Sequence, residues 1–282
     1  MPTDAAHRSF LEDVAAAQGY QPLSEAKVFG LERGESFVSI AGDDGICGLG
    51  VAVAHSAPNG TRWAVETAVH PSMQFPAFEE RLLTATVDLV PEGERHTVWS
   101  ARASLDGVLE RSGYLPVRSL VEMGVDLPLG TSAVLPVRRF AADDLDDLID
   151  LNNTAFADHP EAGNLDRQAM AQLSAQPWFD PDGILLHPPD GPIVAFCWTK
   201  VHPDGRGEIY RIGVRPKEAG MGIGSSITEQ GLNHLAAEHG CTEGFLWVDE
   251  TNAAAVAMYQ RIGFTPRRRN REFAARRVQP NR

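Results

Sequence analysis

Long apolar runs, basic charge and cysteine are what this 282-residue chain has little of. No uninterrupted apolar stretch reaches the roughly 20 residues of a bilayer-crossing helix, so the sequence excludes a helical membrane protein. The first residues, MPTDAAHRSFLEDV, carry neither the basic nor the apolar segment of a secretory leader, and the chain reads as cytoplasmic. The three cysteines, Cys47, Cys197 and Cys241, lie far apart, each beside apolar residues or at an element edge. That pattern predicts buried thiols rather than disulfides or a metal set. The histidines, His159 and His202 among them, show no ligand spacing, so no metal is expected. Lys and Arg number 25 against 38 Asp and Glu, a formal net charge of −13, which repels nucleic acid. The basic cluster at Arg267, Arg268, Arg269, Arg271, Arg276 and Arg277 reads as a solvated terminal strand and tail. A monomer is expected.

What is present is an ordinary globular composition, 43% hydrophobic and 22% charged, on a length suited to roughly two domains of about 140 residues. The pattern of elements repeats. In the first half a helix near 10–18 is followed by strands near 36–41, 46–54 and 61–69, a helix over 78–89, a strand at 97–100 and a helix closing at Gly113. After a Pro- and Gly-bearing stretch at 127–133 come a strand at 137–140, a helix capped by Asp143 or Asp144, and strands at 183–187, 193–201 and 208–214. A helix over 223–239, a strand at 245–248 and a helix over 253–261 complete the second half. Val69-His70-Pro71 matches Val214-Arg215-Pro216, and residues 109–116 match residues 259–266, so the chain reads as a duplication with domains at 1–130 and 131–282.

The copies differ where chemistry would sit. Gly220, Gly222 and Gly224 stand between a β-branched segment and a helical one, the pattern of a turn whose backbone N–H groups cradle phosphate. The first copy has Ala77 and Glu79 at the last two of these places, Trp63 in place of Glu208, and Leu109 in place of Tyr259. Any catalysis therefore belongs to the second copy.

The order of strand, V-x-P, glycine turn, helix, strand, Asn, Tyr-bearing helix and Gly-Phe resembles the GCN5-related N-acetyltransferase (GNAT) superfamily. The resemblance implies an α+β (α/β) fold of two tandem GNAT domains, each a mixed, mostly antiparallel sheet flanked by helices, and acetyl-CoA as cosubstrate. Its usual phosphate pattern, Q/R-x-x-G-x-G/A, falls on Ala219 to Gly224; Ala219 replaces the expected Gln or Arg, which implies weaker coenzyme binding. Segments ADHPEAG (157–163), PWFDPDG (177–183) and FCWTKVHPDGRGEIYRIGV (196–214) are similar to tandem members that acetylate the cysteinyl amine of a cysteine, glucosamine and inositol conjugate, the last step of mycothiol formation.

Carried over residue by residue, the resemblance implies Glu208 as base toward the amine, Tyr259 as acid toward the departing thiolate, and the Val214 N–H as oxyanion donor. Coenzyme contacts are expected from Ile212, Gly213 and Val214, from Ala219, Gly220, Met221, Gly222, Ile223, Gly224 and Ser225, and from Asn252 with Ala253, Ala254, Ala255, Val256 and Ala257. Gly213 inside a strand is also a cue for a bulge or a close approach, and Asn252 reads equally as an ordinary helix N-cap. Substrate contacts are expected from Glu25, Glu161, Lys200, Glu208 and Trp247, with the first copy contributing to the pocket through Glu25 and holding acetyl-CoA at most unproductively. Two alternatives stay open: a tandem acetyltransferase for another amine, such as an aminoglycoside, polyamine or peptide N-terminus, and a coenzyme-binding sensor without turnover.

Overall fold

A computed structural model describes residues 5–42, 45–57, 60–130, 135–157 and 165–275. The chain divides into two compact units, Met1–Leu120 with Arg269–Arg282, and Val121–Arg268. The elements in chain order are α1 (Ala5–Gln18), α2 (Glu25–Glu32), β1 (Phe37–Gly42), β2 (Gly45–Ala57), β3 (Gly60–Val69), α3 (Pro76–Val87), β4 (Arg95–Ser100), α4 (Ala103–Arg111) and β5 (Tyr114–Asp126). They continue as β6 (Arg138–Arg139), α5 (Leu145–Ala155), α6 (Arg167–Ser174), β7 (Ile184–His187), β8 (Ala195–Val201), β9 (Gly207–Val214), α7 (Ile223–His239), β10 (Glu243–Asp249), α8 (Ala253–Ile262) and β11 (Thr265–Ala275). The expected mixed sheets flanked by helices are present.

In the first unit β1, β2 and β3 form an antiparallel meander, and β4 lies parallel to β3. The last residues of β11 pair antiparallel with β4, Arg271 opposite Ser100 and Phe273 opposite Val98. The basic C-terminal segment is the expected strand, but it is packed into the sheet rather than solvated throughout. Phe273 is fully buried in a core with Val65, Val98, Leu105 and Leu109, while Arg271 pairs with Asp106.

A buried polar cluster stands at the centre of this unit. Arg102 donates to both oxygens of Glu79 (2.9 Å each) and to the carbonyl and hydroxyl of Thr67 (2.7 Å each). Glu79 also accepts from Ser104 (3.0 Å) and is wholly buried. Removing one partner strands the other charge in the core. Arg102→Met is expected to lower unfolding stability by about 3–5 kcal/mol, measured by urea denaturation; a loss below about 1 kcal/mol would contradict the structural role of the pair.

In the second unit the strand order is β5-β10-β9-β8-β7-β6. Strands β6 to β9 are antiparallel, and β10 is parallel to β9. Helix α7 covers one face, with Ile227, Leu232 and Leu235 in a core shared with Cys197, Ile209 and Leu246. Gly231 lets α7 approach closely, since a Cβ there would lie 2.4 Å from the Cys197 sulfur and 3.0 Å from Ile209. The helix ends at Gly240, whose φ of 66° provides the left-handed cap expected from sequence. Asp144 does precede α5, but its side chain leaves the helix end and pairs with Arg138 (2.5 and 2.6 Å) and the Ala141 N–H (2.8 Å). The bidentate guanidinium is its largest interaction and holds the Asp144 carboxyl below its ordinary range.

Candidate active site

The site of the second unit is built on β9. Its register with β8 steps from Trp198 opposite Arg211 to Thr199 opposite Ile209, leaving Tyr210 as the extra residue of a β-bulge. A bulge bends a strand and changes which face the following residues occupy. Beyond it β9 parts from β10: the parallel ladder pairs Gly244 with Gly207 and Phe245 with Glu208, and no further pair is formed among the described residues. The two strands thus open toward their C-terminal ends, and Ile212, Gly213 and Val214 lie on the far side of the opening. The bulge is at Tyr210, not at Gly213. Gly213 answers to the other half of its cue, because a Cβ there would sit 2.4 Å from the Phe196 ring and 3.1 Å from Ala155.

From Val214 the chain passes a short 3-10 turn at Pro216–Glu218 and an extended Ala219, then Gly220 (φ 82°) and Gly222 (φ 81°). Both glycines adopt a left-handed conformation that costs any other residue strain. Gly224 serves packing instead, its missing Cβ lying 3.3 Å from the Met258 sulfur. No side chain caps α7 and its first turn carries no acid. The first intrahelical bond runs from the Ser226 N–H to the Gly222 carbonyl (3.1 Å), which leaves the N–H groups of Ile223, Gly224 and Ser225 without intrahelical partners. Met221 projects into solvent beside them, 68% exposed. An uncapped N-terminus of a 17-residue helix behind left-handed glycines is a fitting place for a pyrophosphate.

Tyr259 lies on α8, 6% exposed, with its ring 5.7 Å from that of Phe264. Burial first, and the nearby Cys197 thiol second, push its phenol well above the ordinary range. The Cys197 thiol is itself pushed up to about 12 by burial. Asn252 is the N-cap of α8, its Oδ1 accepting from the Ala255 N–H (3.1 Å). Ala253 and Ala254 are exposed at the helix start, while Ala255, Val256 and Ala257 are half-buried.

Glu208 is not a solvated strand end. Its Oε2 lies 2.7 Å from Nε2 of His202, and both side chains are largely buried. The His202 ring rests 5.1 Å from Phe245. Ligand spacing among the histidines gave no hint of this pair; the signal that could have found it is the β8–β9 hairpin, which returns Glu208 beside His202. Lys200 stands directly across from Glu208 in the register. Its ammonium is 4.2 Å from the centre of the Trp178 ring and 5.3 Å from that of Tyr210, the attraction expected of a cation over aromatic faces. Trp178, Tyr210 and Trp198 pack mutually at 5.0–6.3 Å, so two further aromatics, Trp178 and Tyr210, join the expected residues. Trp247 carries Arg268 on its ring (5.1 Å), and buried Glu122 accepts from Arg268 and Arg206. These groups give the Glu208 side of the sheet flat apolar walls with charged rims.

Glu25 opens α2 in the first unit, and Glu161, like His159, lies outside the described residues. Among the described residues, Asp180, His234 and His239 bring ligand atoms within 4.8 Å of one another. Arg139 already lies among acids there, 3.4 Å from both Asp182 and Glu238. Burial, then His239 and Arg139, lower the His234 pKa.

Fold and site together define an N-acetyltransferase: the family model described as "Acetyltransferase (GNAT) family" matches residues 145–264. Among solved structures, a GCN5-related N-acetyltransferase from Sphaerobacter thermophilus covers 99% of this chain and 94% of its own at a TM-score of 0.71 and 22% identity. A tandem GNAT protein from the clavulanic acid biosynthesis pathway covers 98% and 96% at 0.68 and 12%; both likenesses concern the fold. The chain belongs to the mycothiol acetyltransferase family. The mycothiol acetyltransferase of Thermomonospora curvata is 35% identical over 254 residues, 88% of this chain and 85% of that protein. That of Streptomyces griseus is 42% identical over 214 residues, 72% and 68% respectively. Among the described residues no helix is long and apolar enough to cross a membrane.

Proposed function

We propose that the second copy, 131–282 by the internal duplication, transfers the acetyl group of acetyl-CoA to the cysteinyl amine of the cysteine, glucosamine and inositol conjugate, completing mycothiol. The observation that carries this reading is the bulged β9. Its Glu208–His202 pair faces an aromatic and cationic wall, while its far end opens beside the uncapped glycine turn. The turn at Gly220 to Ser225 and the start of α8 at Asn252 to Ala257 hold the coenzyme, with its pantetheine arm along Ile212 to Val214. Glu208, held by His202, takes a proton from the ammonium; the freed amine attacks the thioester carbonyl, and the Val214 N–H steadies the oxyanion. As the amide forms, the nitrogen sheds its second proton to water; collapse breaks the C–S bond, and Tyr259 protonates the leaving sulfur and regains its proton from water. Lys200 and the flat ring of Trp247 receive the hydroxyl-rich sugar portion.

A panel of amines with acetyl-CoA, followed by thiol release, tests the substrate. The cysteinyl conjugate is expected to exceed polyamines, aminoglycosides and peptide N-termini in kcat/KM. Turnover of a polyamine with none of the conjugate would overturn the reading, and coenzyme binding without any turnover would leave a sensor.

Ala219 has a separate consequence. It precedes the glycine turn without a side chain able to reach phosphate, so Ala219→Arg is expected to lower the KM for acetyl-CoA roughly two- to fivefold, the effect of one exposed charge-assisted contact. An unchanged KM at low salt would place the phosphates elsewhere.

A further inference from the structure

The first unit repeats the architecture of the site but not its opening. Where β9 carries a bulge, the equivalent β3 pairs with β2 in unbroken register from Ala57 opposite Gly60 to Gly48 opposite Val69. Without the bend, β3 and β4 stay together: the parallel ladder runs from Arg62 opposite Arg95 through Glu66 opposite Trp99. In the second unit the matching ladder is two residue pairs long.

The end of this closed ladder is then bridged. Arg102 is the N-cap residue of α4, as Asn252 is of α8. Instead of an exposed amide, the first unit places there a buried guanidinium that binds the Thr67 carbonyl and hydroxyl on β3 and both oxygens of Glu79 on α3. By the Val69/Val214 match Thr67 corresponds to Ile212, and Glu79 to Gly224. The guanidinium thus binds the strand carbonyl at the position that corresponds to Ile212 in the other copy.

The helix end has changed in the same sense. Pro76 stands at the start of α3 and has no N–H, and the N–H groups of Phe78 and Glu79 are both bonded to the Phe75 carbonyl (3.0 and 3.1 Å). No residue from Gln74 to Glu79 has a positive φ. The Glu79 carboxylate, paired with Arg102, is buried within the first turns of this helix.

From these four features we infer that the first unit is a sealed copy: Arg102 and Glu79 fill the place of a coenzyme arm, and the chain takes one acetyl-CoA. The inference rests on the assignment of the coenzyme to the second unit and replaces the expectation that the first copy holds it unproductively. Calorimetry and native mass spectrometry of the full chain with acetyl-CoA are expected to give a stoichiometry of one, falling to zero in Gly222→Val. Peptide-resolved hydrogen exchange of the unaltered chain supplies a readout independent of that variant, with acetyl-CoA protecting amides in 212–225 and leaving 67–80 and 97–104 unchanged. Two equivalents bound, one equivalent retained by Gly222→Val, or protection within 67–80 would overturn the sealing. No binding at all would instead remove the assignment of coenzyme to the second unit, with the first unit still closed.

Discussion

Replacing Glu208 by Gln is expected to lower kcat for acetyl transfer by about 10²- to 10⁴-fold, with the KM for acetyl-CoA changed by less than about threefold. Gln keeps the size of the side chain and can still hydrogen-bond His202 at the 2.7 Å contact, but it cannot accept the proton of an ammonium. The deficit carries a pH signature. An α-amino group ordinarily titrates at about pH 7.7–8.0, so the substrate sheds its own proton as pH rises and the variant recovers toward pH 9. A Glu208 that only braces the hairpin would give a deficit independent of pH. His202→Gln separates positioning from proton acceptance: the carboxylate remains but loses its imidazole partner. A fall of roughly tenfold is expected, in kcat more than in the KM for acetyl-CoA, with the alkaline recovery reduced. Initial rates from pH 6.5 to 9.5 check both variants, and a Glu208→Gln enzyme within threefold of the parent would end the base assignment.

Tyr259→Phe is expected to reduce kcat by about 10²- to 10³-fold while coenzyme affinity stays within about twofold, because the ring and its packing on Phe264 are retained. Burial raises the phenol above its ordinary value of 10.0, so Tyr259 keeps its proton throughout the working range. In the parent enzyme kcat therefore does not decline on the alkaline side through about pH 9.5 from loss of this acid. The stability linkage has the same sign: with the folded pKa above the unfolded one, the contribution is fully present below about pH 10 and is lost as pH rises through the folded value. Phe in its place removes that alkaline dependence. Turnover within threefold of the parent, with product thiol released at the same rate, would show that water or another group protonates the sulfur.

The candidate site was legible wherever the chemistry is local in the chain. Gly220 and Gly222 could be read as left-handed turn residues because only glycine takes positive φ without strain. Asn252 could be read as an N-cap because a short polar side chain before a helix reaches its own N3 amide. His202 could not be read in that way, since its partnership with Glu208 exists only through the return of the β8–β9 hairpin. Trp178 is joined to Lys200 and Tyr210 from a segment that precedes β7, an association that no periodicity contains. The bulge at Tyr210 is equally silent in sequence, because it consists in an offset between two strands rather than in a residue type.

The sequence by itself determined that there are two copies, which of them kept the glycine turn and the tyrosine, and the family to which the chain belongs. Those properties reside in residue identity and spacing along one dimension. Only the tertiary structure decided that Glu208 is held by His202, that β9 opens from β10 while β3 stays closed on β4, and that Arg102 bridges the closed end. Those properties depend on strand register and on which side chains a folded core brings within hydrogen-bonding reach, and neither is encoded at a fixed separation in the chain.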